Sequence, residues 1–179
     1  MGEKPEQYLG GLDVFVGGPI QHAIRPVGFL PSLQESISTA IGQIRANGGN
    51  VFSAHVVEEF GDKTAAFTPE QVSLRDFRWM KKCDVFVPFL PVGEDGTLLR
   101  TDGTHIELGW ATALGRPIVL VTSLPINNSA SHLLKGLHMV GSVTVLDLEL
   151  VLKEPEFLIN GILSATGRQR EAILASAIS

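Results

Sequence analysis

TDGTHIELGWATALGRPIVLV, residues 101–121, starts as a polar loop, continues with helical spacing and ends in an apolar strand. Gly115 stops the helix, because glycine readily takes the left-handed conformation just past a helix end. The spacing predicts a helix over 103–114 and a strand over 117–122. Loop, helix and buried strand in that order make one step of a parallel α/β sheet. Glu107 lies one turn into this helix, with Gly103 and Gly109 on either side. Thr104-His105-Ile106-Glu107 also has the spacing of a capping box, with Thr104 as N-cap and Glu107 reaching back to it. The glutamate therefore caps a helix or does chemistry at the mouth of a sheet.

The same step recurs upstream and downstream. Residues 13–17 form a short apolar run that enters the turn Gly17-Gly18-Pro19, as a buried strand entering a loop would. Leu33, Ile37, Ile41 and Ile44 share one face of a helix over 33–46, and Asn47-Gly48-Gly49-Asn50 ends it. A second strand is expected at 51–54, followed by a polar loop over 55–68 with about one helical turn. Thr68-Pro69-Glu70 opens a helix to Lys82, with proline at the tolerated first position. Further strands are expected at 84–88 and 142–146, with a short helix at 129–137.

Five strands that are apolar throughout imply a doubly wound parallel α/β sheet covered on both faces. The expected organisation is one domain over 1–179, with a core at about 13–147 and a helical segment at about 148–179. Ligands in such sheets bind beyond the carboxyl ends of the strands, at the switch point. That rule gathers four loops: 17–19, 55–59, 88–103 and 122–131.

A chain of 179 residues can bury a substantial core. Its 44% hydrophobic and 18% charged residues are those of a globular protein. Fourteen Lys and Arg against nineteen Asp and Glu leave a net charge of −5, which argues against a nucleic acid polymer as partner. A small phosphate held by backbone amides stays open. Cys83 is the only cysteine, so internal disulfides and Cys-rich zinc sites are excluded and a reducing compartment fits. MGEKPEQYLGG lacks the apolar stretch of a secretory leader, and no run approaches the ~20 apolar residues of a membrane span. A soluble, cytoplasmic protein without a membrane partner is expected.

Gly17-Gly18-Pro19 lacks both the dinucleotide fingerprint and a Gly-Lys-Ser/Thr phosphate loop. It reads as a tight turn, or as a loop that lets a ligand approach bare backbone. His105-Ile106-Glu107 matches half of a zinc deaminase signature, but the other half needs two cysteines. His55 and Glu59 could share a metal across one helical turn, yet a third ligand is missing. No metal and no cofactor are expected. Cys83 reads as a buried inert thiol, Trp79 and Trp110 as core or interface, and Lys81-Lys82 as charges complementing a helix C-terminus. Asp76 either points into the crevice of Glu107 or is a surface carboxylate paired with Arg75 or Arg78. Two carboxyls in one crevice would suit glycosidic chemistry.

VFVGGPI (14–20), SLRDFRWMKKCDVFV (73–87) and DGTHIELGWATALGRPIVLV (102–121) together resemble the nucleoside 2-deoxyribosyltransferase superfamily. The likeness is greatest to its nucleotide-hydrolysing branch, the cytidylate N-glycosidases of pyrimidine-nucleoside antibiotic pathways. VFSAHVVEEFG (51–61) is similar to that branch's Ala-His, Glu and Gly segment after strand two, and the whole match spans about 13–122.

The resemblance implies a flavodoxin-like sheet and a homodimer or higher homo-oligomer whose site is completed across the interface. It makes Glu107 the nucleophile and Asp76 the residue that holds the base or relays a proton. Substrate contacts fall on Gly17, Gly18, Pro19 and Ile20, on His55 and Glu58, and on Gly103 and Thr104. Where similar transferases carry a base-binding aspartate and similar hydrolases a phosphate-binding serine, this chain has Thr101, whose hydroxyl favours a phosphate. Asp102, one place later, could return a carboxylate to the base. Ser129 and Ser131 lie where the hydrolases place a phosphate-binding serine contributed by the partner subunit. Ile20-Gln21 replaces the hydrolases' Phe-Arg, Thr101-Asp102-Gly103-Thr104 replaces Ser-Pro-Gly-Thr, and 55–59 lacks their arginine, which leaves the base open. The expected activity is hydrolysis of a nucleoside 5′-monophosphate. The alternatives are base exchange on a nucleoside, and a nucleotide-binding module without catalysis.

Overall fold

Every residue of β3 (Val85–Leu90) and of β4 (Ile118–Thr122) is buried, which requires cover on both faces of the sheet. In the computed structural model, which describes residues 7–168, that cover is seven helices among the described residues. The strands are completed by β1 (Asp13–Gly17), β2 (Asn50–Phe52) and β5 (Val143–Asp147). The helices are α1 (Pro31–Ala46), α2 (Ala54–Val57), α3 (Pro69–Lys82), α4 (Asp102–Ala113), α5 (His132–Lys135), α6 (Leu148–Lys153) and α7 (Pro155–Ala165). None of the described helices is long and apolar enough to cross a membrane.

All strand pairs are parallel and the sheet order is β2-β1-β3-β4-β5, the flavodoxin-like order. The chain leaves β1 for one edge, then returns to its other side at β3. That reversal opens a crevice beyond the carboxyl ends of β1 and β3. Register places Phe15 beside Phe86 and Gly17 beside Pro88.

The sheet has two unlike faces. Leu33, Ile37 and Ile44 of α1 pack on one, with Val151 of α6 and Leu158 and Ile162 of α7. Met80 of α3, Leu108 and Ala111 of α4 and Leu134 of α5 cover the other, around Phe15, Phe86 and Leu120.

Expected boundaries shift by one to three residues for physical reasons. Pro31 starts α1 earlier than its apolar stripe suggests, since proline suits the first turn. β2 stops at Phe52 because Ala54 already opens α2. The segment expected as a loop over 55–68 holds α2 and two 3-10 turns, Glu59–Gly61 and Thr64–Ala66. Glu59 (φ 46°) and Phe60 (φ 51°) are left-handed there, a conformation non-glycine residues rarely adopt. Asp147 accepts from the amides of Glu149 and Leu150 and so starts α6. The expected helical tail is two helices as far as Ala165 and a turn over 166–168; residues 169–179 lie outside the described residues.

Candidate active site

Thr101, not Thr104, caps α4. Its Oγ1 accepts from the Thr104 amide at 3.4 Å and donates to Thr104 Oγ1 at 2.6 Å. The helix therefore starts one turn earlier than a Thr104 capping box would place it. Glu107 then lies beyond the first turn and cannot serve as the capping-box glutamate.

The Glu107 side chain is instead packed at the end of β1, only 9% exposed. A Cβ added to Gly17 would lie 3.0 Å from Glu107 Oε2 and 2.9 Å from Phe86 Cε2. Glycine at 17 is what gives the carboxyl its room. No hydrogen-bond donor to that carboxyl is found among the described residues. Burial pushes its pKa well above the usual glutamate value, and the charge of Asp76 pushes further the same way, against a smaller opposing pull from Arg75.

Asp76 is buried on α3, so it is not a surface carboxylate, although it does pair with Arg75. Arg75 Nε donates to Asp76 Oδ1 at 2.7 Å, while Nη2 reaches Asp76 Oδ2 at 3.3 Å and Glu58 Oε1 at 2.7 Å. Glu58 Oε2 accepts in turn from Thr64 Oγ1 at 2.8 Å. The guanidinium lies over the rings of Trp79 and Phe67, at 4.9 and 5.4 Å. Stacking plus three hydrogen bonds holds this cation in place. Burial raises the Asp76 pKa and Arg75 draws it back.

His55 is fully buried, and that burial lowers its pKa to about 4. A neutral imidazole facing a carbonyl must carry its proton on the facing nitrogen, so Nε2 donates to the Pro19 carbonyl at 3.2 Å. His55 thus ties the glycine-proline turn to α2. Its Nδ1 has no hydrogen-bond partner among the described residues. Glu59 does not join it: that side chain is exposed and paired with Lys63. Among the described residues no three His, Cys, Asp or Glu side chains are grouped to hold a metal ion. Cys83 is buried with its thiol pushed up to about 12, mainly by burial, which suits an inert residue.

A cavity of about 200 Å³ joins these pieces at the sheet's carboxyl edge. Gly17, Gly18 and Ile20 line it from β1, and His55 and Glu58 from α2. Thr101, Asp102, Gly103 and Thr104 line it at the start of α4, and Asp76 and Glu107 complete it. Pro19 contributes only the carbonyl bound by His55. Ser129 and Ser131 stand apart in this chain. Ser129 Oγ accepts from the Leu98 amide, and Ser131 caps α5 beside a separate apolar groove. Sequence reasoning missed His22, Thr64, Val72 and Arg100 on the lining; it noted Gln21 only as a departure from the hydrolases and Arg75 only as a partner of Asp76, not its reach to Glu58. Arg100 alone had a usable signal, its place directly before Thr101.

The family profile described as nucleoside 2-deoxyribosyltransferase matches residues 25–144. The chain belongs to this family. Its members are enzymes that act on small molecules of the nucleoside class. Among solved structures, BlsM is 27% identical, with a TM-score of 0.70 over 90% of this chain and 96% of BlsM. The CMP N-glycosidase BcmB of Clostridium botulinum shares the fold at 24% identity, with a TM-score of 0.55 over 80% of this chain and 97% of BcmB. No curated protein matches this chain in sequence.

Proposed function

We propose that the chain hydrolyses the N-glycosidic bond of a nucleoside 5′-monophosphate, releasing free base and sugar 5-phosphate. The observation that carries this reading is the buried Glu107 carboxyl, without a hydrogen-bond partner among the described residues, in one small cavity with Asp76. A structural carboxylate would be hydrogen-bonded, whereas a nucleophile must be left free to bond carbon. The name of the similar BcmB, a CMP N-glycosidase, supports the substrate class.

The mechanism needs one proton on the carboxyl pair, and burial and the charge of Asp76 favour the neutral form of Glu107. Transfer of that proton to Asp76 leaves a carboxylate aimed at C1′ and an acid for the departing base. The Glu107 oxygen then bonds to C1′ as the C1′–N bond breaks, and the electron pair leaves with the base, which takes the proton. Water next attacks C1′ of the glycosyl ester, its proton passes to Asp76, and Glu107 is released as a carboxylate. Two displacements give net retention. Backbone amides at Gly17-Gly18 and at the start of α4 supply donors for the phosphate, as helix N-termini do for anions.

Ser129 and Ser131 would reach a site only from a partner subunit, which accords with the exposed Leu133, Met139 and Val140 near Ser131. The lining carboxylate of Asp102 favours a second reading, base exchange, in which an incoming base replaces water at the ester. Incubating the full chain with the common nucleosides and their 5′-monophosphates, with chromatography for free base, decides. Free base without an acceptor supports hydrolysis. Exchange only when a second base is added supports transfer, and neither product leaves a binding module.

A further inference from the structure

Of the hydroxyls expected to hold the phosphate, Thr101 has its proton engaged, and the two serines stand away from the cavity. Thr101 donates to Thr104, Ser131 caps α5, and Ser129 accepts from Leu98 on a different part of the surface. A dianion also calls for a cation. Arg75 gives Nε and Nη2 to Asp76 and Glu58 and, although its Nη1 has no partner among the described residues, it does not line the cavity, while His55 is kept neutral by burial. The guanidinium that lines the cavity is that of Arg100.

Arg100 already grips an oxyanion. Its Nε meets Asp102 Oδ1 at 3.1 Å and its Nη2 meets Asp102 Oδ2 at 2.8 Å. Two parallel donors on two oxygens of one group is the geometry with which arginine binds carboxylate and phosphate alike. The pair is open to water, with side chains 69% and 66% exposed, so it is weakly held. Asp102 is the first residue of α4, where a carboxylate released from the fork stays favourably placed at a helix N-terminus.

We propose that Arg100 is the ligand of the substrate's 5′-phosphate, and that Asp102 occupies its guanidinium until the phosphate displaces it. This rests on the nucleotide reading of the site. An uncharged nucleoside offers nothing to exchange for Asp102. The pair thereby sets specificity: it admits a phosphorylated sugar and gives a free nucleoside no foothold.

The test is calorimetric titration of the full chain with ribose 5-phosphate, with ribose as control, for the parent and two variants. The exposed pair can be changed without disturbing the core. Arg100→Leu should weaken ribose 5-phosphate binding ten- to hundredfold, the effect of losing a charge-assisted contact. Asp102→Asn should tighten it severalfold by removing the competitor. Opposite signs are what a merely structural ion pair would not give. Parent-like binding by Arg100→Leu, or weaker binding in both variants, overturns the proposal. Ribose 5-phosphate binding that depends on Arg100, without base release from any nucleotide, would remove the hydrolase reading and leave the phosphate ligand standing.

Discussion

Burial of His55 makes stability depend on pH in a way that can be worked out in advance. Its pKa falls from 6.5 to about 4 on folding. Between those values the unfolded chain binds a proton that the folded chain refuses. Stability from this group is therefore complete above about 6.5 and is lost as the pH falls toward 4. At about 1.36 kcal/mol per unit, the full loss is roughly 3 kcal/mol, with roughly 2 kcal/mol gone by pH 5. Asp76 and Glu107, both raised, act in the opposite sense: they add stability on the acid side that is lost as the pH rises. A variant isolates the histidine. His55→Gln should be less stable than the parent at pH 7, because ring contacts with Phe29 and Phe60 are lost. Since both proteins keep the carboxylates, urea denaturation at pH 7, 6 and 5 should show that deficit shrinking by roughly 2 kcal/mol. A gap constant within about 0.5 kcal/mol would refute the claim that the buried ring is neutral and resists protonation.

Glu107→Gln should abolish base release yet melt at a higher temperature than the parent near neutral pH, because it removes an acid that folding makes harder to ionise; more than a few per cent of parental turnover would exclude Glu107 as nucleophile. Asp76→Asn should cut kcat about 10²–10⁴-fold with a smaller change in KM, and parental kcat in steady-state assays would free Asp76 of any proton role. Gly17→Ala drives a methyl group to 3.0 Å from Glu107 Oε2. It should lower kcat and cost about 1–3 kcal/mol in denaturation, while a parent-like enzyme would mean the contact relaxes freely.

The order of elements was readable because the strands are short and apolar, and glycine, proline or asparagine marks several of their borders. β1 ends in Gly17-Gly18-Pro19, and the α1–β2 turn is Asn47-Gly48-Gly49. Thr68 and Gln71 form the capping box of α3 at the threonine expected to open it. The other cap was misplaced, since Thr101 and Thr104 both lie at the start of the helical pattern and spacing cannot choose between them. Satisfying the Thr104 amide chose Thr101. The two carboxyls could be named as candidates, but not their unlike surroundings. Those depend on Arg75 reaching 17 positions back to Glu58 through turns that contain two left-handed residues. No local pattern encodes such a contact.

The two faces of the sheet differ in what they carry. Asp76 and Glu107 both stand on the layer of α3 and α4, while α1, α6 and α7 provide neither. On the proposed function, a repacking under Met80 or Leu108 should change turnover as well as stability, because it moves the helices that carry the two carboxyls. A repacking under Ile44 or Ile162 lies across the sheet and should be felt in stability alone. Natural drift and laboratory evolution thus have unequal latitude on the two sides: one layer can be rewritten for robustness, and the other only together with the chemistry.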